Sequence, residues 1–320
     1  VGPRGCGKTH LMRYAFTQCV ADPELPLAVY INLNRYYTLE PLLRRRPDAM
    51  STFYVWVLAN IVVGFYESVE TFGVNAQVQA PEVDSLREFD SAEVRDVIGA
   101  YEKSQSLDAN LEAVATRLTI DRVKQLLVRS ANVLKRRRVV LLLDDAALTL
   151  TPEYLSHFFD IYRALKAPRI APKASVYPGT TEYGPNFHAG HEADTVFVWK
   201  RVTDGNYLAF MQDIGAKRFP DMEQIPEDIR AMLAYSAFGV PRAFMALVRS
   251  YLKNLKRQVT PQSTFNLTID EFLADRVREY MTLKDKKPQL GTIVEVGKRL
   301  FNSMVEAVTD ANQALIEEDS

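Results

Sequence analysis

Near the start of the chain Gly2, Pro3, Arg4, Gly5, Cys6, Gly7, Lys8 and Thr9 run as G-x-x-x-x-G-K-T, and Leu11, Met12, Tyr14 and Ala15 follow at the spacing of an amphipathic helix. Glycines let successive backbone N–H groups close around phosphate oxygens, and a helix that starts at once turns the positive end of its dipole on the same anion. In this chemistry Lys8 reaches the β- and γ-phosphates of ATP, and the Thr9 hydroxyl ligates Mg²⁺. Residues Gly2 to His10 are thus the expected phosphate cradle. A chance glycine-rich turn would not need all eight positions or the helix behind them. Cys6 lies where a helix N-terminus favours a thiolate. With no second thiol close in sequence, it reads as a small filler of the loop.

A second acidic constellation lies far along the chain. Val139 to Leu143 is an apolar run that ends in Asp144 and Asp145, the form of a parallel strand buried on both faces with its C-terminal tip at a ligand crevice. Asp144 is expected to hold Mg²⁺ through water, and Asp145 to orient or polarise the attacking water. A third strand is expected at Ala174 to Tyr177. The threonines after it, Thr180 and Thr181, each offer a hydroxyl to sense the γ-phosphate, or a cap to their own turn. Further on, Gly239 ends one helix and Pro241 opens the next, so Arg242 projects from a helix N-terminal end. Its guanidinium is suited to the γ-phosphate; a solvated arginine at a helix break is the alternative.

The elements that must hold these residues follow from periodicity. The chain has 320 residues with 47% hydrophobic content, enough for two or three compact units. A strand is expected over 27–34, a long helix over 49–71, helices over 92–104, 118–134 and 152–166, and a last strand over 194–202. Residues 74–92 lack a period and read as a surface excursion. This alternation predicts an α/β unit with a parallel sheet flanked by helices. Beyond 203 only helical patterns remain, over 205–214, 226–236, 241–254, 269–283 and 290–316. The expected organisation is an ATPase core over 1–202, a helical lid over 203–285 and a helical extension over 286–320 that leads toward a further domain. A phosphate loop leaves the end of a central apolar strand, and only Val1 of such a run is present. An N-terminally truncated fragment is therefore expected, with the strand before the loop missing.

Composition excludes several classes. A net charge of −1 gives no global drive toward nucleic acid, and Arg44 to Arg46 and Lys135 to Arg138 read as solvated ends of buried elements as readily as DNA contacts. Two cysteines cannot form a disulfide framework, which points to a reducing, cytoplasmic setting. The uncharged run over 51–66 is shorter than the roughly 20 residues of a bilayer span, so a core helix is expected and no membrane partner. His188 and His191 lack further histidine or cysteine ligands nearby, so no metal site is expected there.

Together the phosphate loop, the strand ending in Asp144 and Asp145, "VYPGTT" and "GVPR" in a helical unit resemble a P-loop ATPase of the AAA+ type. More narrowly, residues 1–285 resemble the origin-recognition-complex-like AAA+ ATPases and the related STAND ATPases. The resemblance implies a Mg²⁺-dependent ATPase that works as a molecular switch. Lys8, Thr9, Asp144 and Asp145 match the Walker positions, Thr180 or Thr181 the sensor 1 position and Arg242 the sensor 2 position. Its implied partners are ATP and ADP, flanking domains of the same chain, DNA, and further copies in nucleotide-dependent self-association. Two departures stand out. Asp145 replaces the usual glutamate, which suits slow hydrolysis, and "TEYGPNFHAGHEAD" has no arginine to serve a neighbouring subunit, which argues against a ring-forming motor. The other readings are the ATPase part of a DNA-binding initiator or defence protein, and a P-loop small-molecule kinase.

Overall fold

The computed structural model describes residues 1–35, 38–76, 86, 88–146, 151–179, 181–188, 190–257, 260–286, 288 and 291–318. The chain divides into two units, Val1–Lys200 and Arg201–Ser320. The first is α/β. Its helices are α1 (Lys8–Ala21), α2 (Leu42–Arg45), α3 (Ala49–Ala76), α4 (Ser91–Glu102), α5 (Ala109–Arg117), α6 (Ile120–Val133) and α7 (Pro152–Leu165), and its strands are β1 (Leu27–Asn32), β2 (Val139–Asp144) and β3 (Ile170–Ala174).

The three strands form one parallel sheet in the order β1-β2-β3. The register pairs Asn32 with Asp144 and Leu143 with Ala174, so the carboxyl ends of all three strands lie level. Strand β2 is central, which is why its sequence is an unbroken apolar run rather than an alternation. Helix α3 is apolar all round for a related reason: it packs against β1, α4, α6 and α7, and Trp56, Phe65 and Phe72 are buried. It is long and apolar enough to cross a membrane, yet 72% of its most apolar stretch is buried inside the protein, as a core helix requires. Asp90, Asp108 and Thr119 cap α4, α5 and α6 by accepting hydrogen bonds from first-turn N–H groups.

Several expectations need correction. The third strand is Ile170–Ala174, not Ala174–Tyr177, because pairing with Val139–Leu143 selects the earlier segment. Pro172 hid it. No strand is formed over 194–202 among the described residues. That segment bonds to the chain start: the Val1 ammonium donates to Val196 O, and Val198 N–H donates to Val1 O at 2.9 Å. Helix α5 was not expected, and most of the 74–92 excursion lies outside the described residues.

The second unit is helical: α8 (Tyr207–Arg218), a 3₁₀ turn at Pro220–Gln224, α9 (Glu227–Ser236), α10 (Pro241–Asn254), α11 (Pro261–Lys286) and α12 (Gly291–Glu318). Met211, Leu233, Phe244 and Tyr251 lie in its core. Helix α9 ends as its sequence suggests, with Phe238 and Gly239 in the left-handed region. The buried Tyr207 hydroxyl accepts from Gly239 N–H at 2.9 Å, which fixes that break, and α10 begins two residues later.

Close approach of α3 to β1 depends on Gly64. A Cβ there would lie 2.8 Å from Tyr30 O and 3.0 Å from Ile31 Cγ1. Alanine normally gains about 1 kcal/mol over glycine inside a helix, whereas overpacking costs about 1–3 kcal/mol. Gly64→Ala is therefore expected to destabilise, as read by urea unfolding. Stabilisation would show that the helix has room to move.

Candidate functional site

The loop before α1 takes the shape its glycines allow. Gly5 and Gly7 have φ of 92° and 103°, a region that disfavours any Cβ, and the first intrahelical bond runs from Leu11 N–H to Gly7 O at 2.9 Å. The N–H groups of Thr9 and His10 precede that bond, in the first turn where a helix offers no i−4 carbonyl. Gly2 is required for packing: a Cβ would lie 2.5 Å from Cys6 Sγ. The buried Cys6 thiol fills the loop from inside, as its filler reading expects. Gly2 N–H also donates to Val176 O at 3.3 Å, which ties the loop to the residues just beyond β3.

Lys8 is buried at 8% exposure. Its ammonium donates to Gly2 O at 2.7 Å and Pro3 O at 3.1 Å, and lies 3.8 Å from the centre of the Tyr177 ring. The Tyr177 hydroxyl donates to Asp145 Oδ1 at 3.3 Å. One aromatic side chain thus joins the loop lysine to the acid just beyond β2, and the two motifs, more than 130 residues apart in the chain, meet at one place.

The acids are held differently. Asp144 is fully buried; its Oδ2 accepts from the Tyr30 hydroxyl at 2.9 Å and its Oδ1 from Asp145 N–H at 3.0 Å. Tyr30 lies on β1, and Arg13 of α1 stands over its ring at 5.4 Å. Asp145 has φ of 53°, a left-handed conformation that Asp and Asn tolerate better than most residues. Its N–H also donates to Ser175 Oγ at 2.8 Å. Burial pushes the Asp145 carboxyl above its usual range and repulsion from Asp144 adds to this, while Tyr177, Lys8 and Arg4 oppose. Burial first, then Asp145, push the Tyr177 phenol up to about 12, so it is a neutral donor.

The sequence-based site is gathered in part. Residues Gly2 to His10 form one loop and helix start, Lys8 and Asp145 converge on Tyr177, and Asp144 sits beside Asp145. Thr9 is half-buried in the first turn of α1. Thr180 lies outside the described residues. The Thr181 hydroxyl accepts from Tyr177 N–H at 3.1 Å and donates to Tyr177 O at 2.8 Å, the hydrogen bonds of the capping alternative. Arg242 is the second residue of α10, in the other unit. Sequence reasoning missed Tyr30, Ser175 and Tyr177. The level strand tips were the available signal for Ser175, which follows Ala174 as Asp144 follows Leu143.

A groove of about 700 Å³ opens on the far side of β3, between α1, α7 and segment 192–198. Leu11, Met12, Phe159, Val176, Phe187 and Val198 are among its apolar walls. Among the described residues no cluster of three or more His, Cys, Asp or Glu could hold a metal ion by itself. No protein-family model, curated protein or solved structure significantly matches the chain.

The raised Asp145 pKa makes a prediction of defined sign. The folded chain binds this proton more tightly than the unfolded chain, so folded stability falls as pH rises above the ordinary carboxylate value of 3.8. Asp145→Asn keeps the shape and the left-handed backbone but cannot ionise. In thermal unfolding without divalent cation, the variant should melt above wild type at pH 7, and the gap should close as pH falls below that value. A variant no more stable at pH 7 would contradict this account.

Proposed function

We propose that the chain is a Mg²⁺-dependent ATP-binding switch with slow hydrolysis, of the AAA+ and STAND kind that its motifs resemble. The observation that carries this reading is the meeting of the glycine loop with the Asp144–Asp145 tip through Tyr177. A lysine, a glycine loop that opens a helix and two acids are the components of phosphoanhydride recognition.

The donors fit magnesium. They are oxygens only, the Thr9 hydroxyl and one or two carboxylates, and magnesium characteristically takes few protein ligands beside substrate phosphates and water. When bound, the cation would neutralise charge on the phosphates. Asp144 is oriented for this by Tyr30 and by the Asp145 N–H. Lys8 would exchange the Gly2 and Pro3 carbonyls for phosphate oxygens, and the N–H groups of Gly7 to His10 would close around them. Asp145, with its proton affinity raised by burial, would accept a hydrogen bond from water and orient it. We assign Arg242 to the γ-phosphate on its helix-start pattern, as in the sequence reading.

We infer also that the groove beside β3 receives an extended segment as a further parallel strand. Val1 makes the parallel pattern with Val196 and Val198, and Gly2 N–H bonds to Val176 O. Ser175 N–H points to Leu143 on β2, so by alternation Ala174 and Val176 face the groove. Pro172 faces it too, but has no N–H, and its carbonyl accepts from the Tyr162 hydroxyl at 2.8 Å. Pairing along β3 therefore stops there.

Three results test the reading. Lys8→Ala should weaken binding of a fluorescent ATP analogue by tenfold or more in an anisotropy titration; unchanged affinity would overturn the phosphate assignment. Arg242→Ala should weaken ATP about tenfold, as for a charge-assisted bond, and leave ADP nearly unchanged; equal loss for both removes it from the γ-phosphate. Four β-branched apolar residues placed ahead of Val1 should raise the urea midpoint relative to four with alternating prolines, and equal midpoints would refute the strand.

A further inference from the structure

Three features single out Tyr177. Its backbone is clamped at both polar groups by one hydroxyl, Thr181 Oγ1, at 3.1 and 2.8 Å. Its ring face carries the Lys8 ammonium at 3.8 Å, and its hydroxyl donates to Asp145 at 3.3 Å. The two residues it touches are the two that the ATP reading uses for phosphate and for water. Lys8 also faces inward onto the Gly2 and Pro3 carbonyls, a posture that spends two of its three N–H donors away from a phosphate.

We propose that Tyr177 is a latch, a positioning residue that ties Lys8 to Asp145 in the nucleotide-free chain; a phosphate that draws Lys8 away loosens it, and the remaining hydrogen bond then restrains Asp145 for part of the time. The inference rests on the ATP reading and extends it by linking occupancy of the loop to the freedom of the water-orienting acid. A cation over an aromatic face is most strongly held where water is excluded, so Lys8 leaves the ring at a cost that ATP binding must overcome. That cost lowers apparent affinity, as any need to leave a resting conformation does. Once Lys8 has left, the long hydrogen bond to Asp145 still holds the ring for part of the time. Tyr177 differs from a packing tyrosine in one respect: its two contacts can be removed separately. Phenylalanine keeps the face for Lys8 and loses the bond to Asp145, whereas leucine fills the space and loses both.

The test measures MgATP affinity and single-turnover hydrolysis for wild type, Tyr177→Phe, Tyr177→Leu and Lys8→Ala. Tyr177→Leu should bind MgATP about 3- to 10-fold more tightly than wild type. Tyr177→Phe should keep wild-type affinity within about twofold and hydrolyse bound ATP about 2- to 5-fold faster. Weaker binding by Tyr177→Leu, or identical behaviour of the two variants in both measurements, would overturn the latch and leave the ATP site standing. Wild-type binding that does not depend on Lys8, or no binding at all, would overturn the ATP site and the latch with it. Should Tyr177→Leu fail to fold, the separation of affinity from turnover in Tyr177→Phe decides alone, and unchanged turnover there refutes the latch.

Discussion

Parallel pairing of β1, β2 and β3 is the constraint on which the site depends. Strands that run the same way in level register end at one edge, and here that edge carries Asn32, Asp144 and, one step beyond β3, Ser175. Antiparallel pairing would have sent alternate tips to opposite edges. The glycine loop reaches the same edge because Gly2 is bonded to Val176 beyond β3, and α1 then leads back along the sheet, in contact with β1 and β2.

On that frame, tyrosines do the work of holding charge. Tyr30 anchors Asp144 and Tyr177 anchors Asp145, and each phenol is pushed up to about 12 chiefly by burial. A neutral donor satisfies a carboxylate without bringing a full charge of its own to the strand tips. A fully buried Asp144 beside a half-buried Asp145 would otherwise be costly, since an unpaired buried charge is penalised heavily. The left-handed Asp145 is a further strained feature of the kind that collects at sites of function.

Much of this was legible in the sequence, and the gaps have physical reasons. Strand β2 and the loop of Gly5 and Gly7 were plain, because burial on both faces and left-handed turns each demand particular residue types. Strand β3 was displaced by four residues: "ASVY" looks more strand-like than "IAPKA", but pairing with Val139–Leu143 decides, and Pro172 is tolerated because its missing N–H faces the groove. Segment 194–202 reads as a strand and forms none among the described residues, since a strand needs a partner along its length. Tyr30 and Tyr177 were invisible because their roles exist only across strands and loops far apart in sequence. The capping alternative for Thr181 was legible for the converse reason: its partner is local, four residues away.

The account stands on a triphosphate held at the Gly2–Thr9 loop. The most direct test is a crystal structure of the protein grown with a non-hydrolysable ATP analogue and Mn²⁺, located by its anomalous scattering. The account predicts the β- and γ-phosphates within hydrogen-bond reach of Lys8 Nζ, which has left the Gly2 and Pro3 carbonyls, with the ion between Thr9 and Asp144. Density for the analogue or the ion elsewhere, with Lys8 still turned onto those carbonyls, would contradict it.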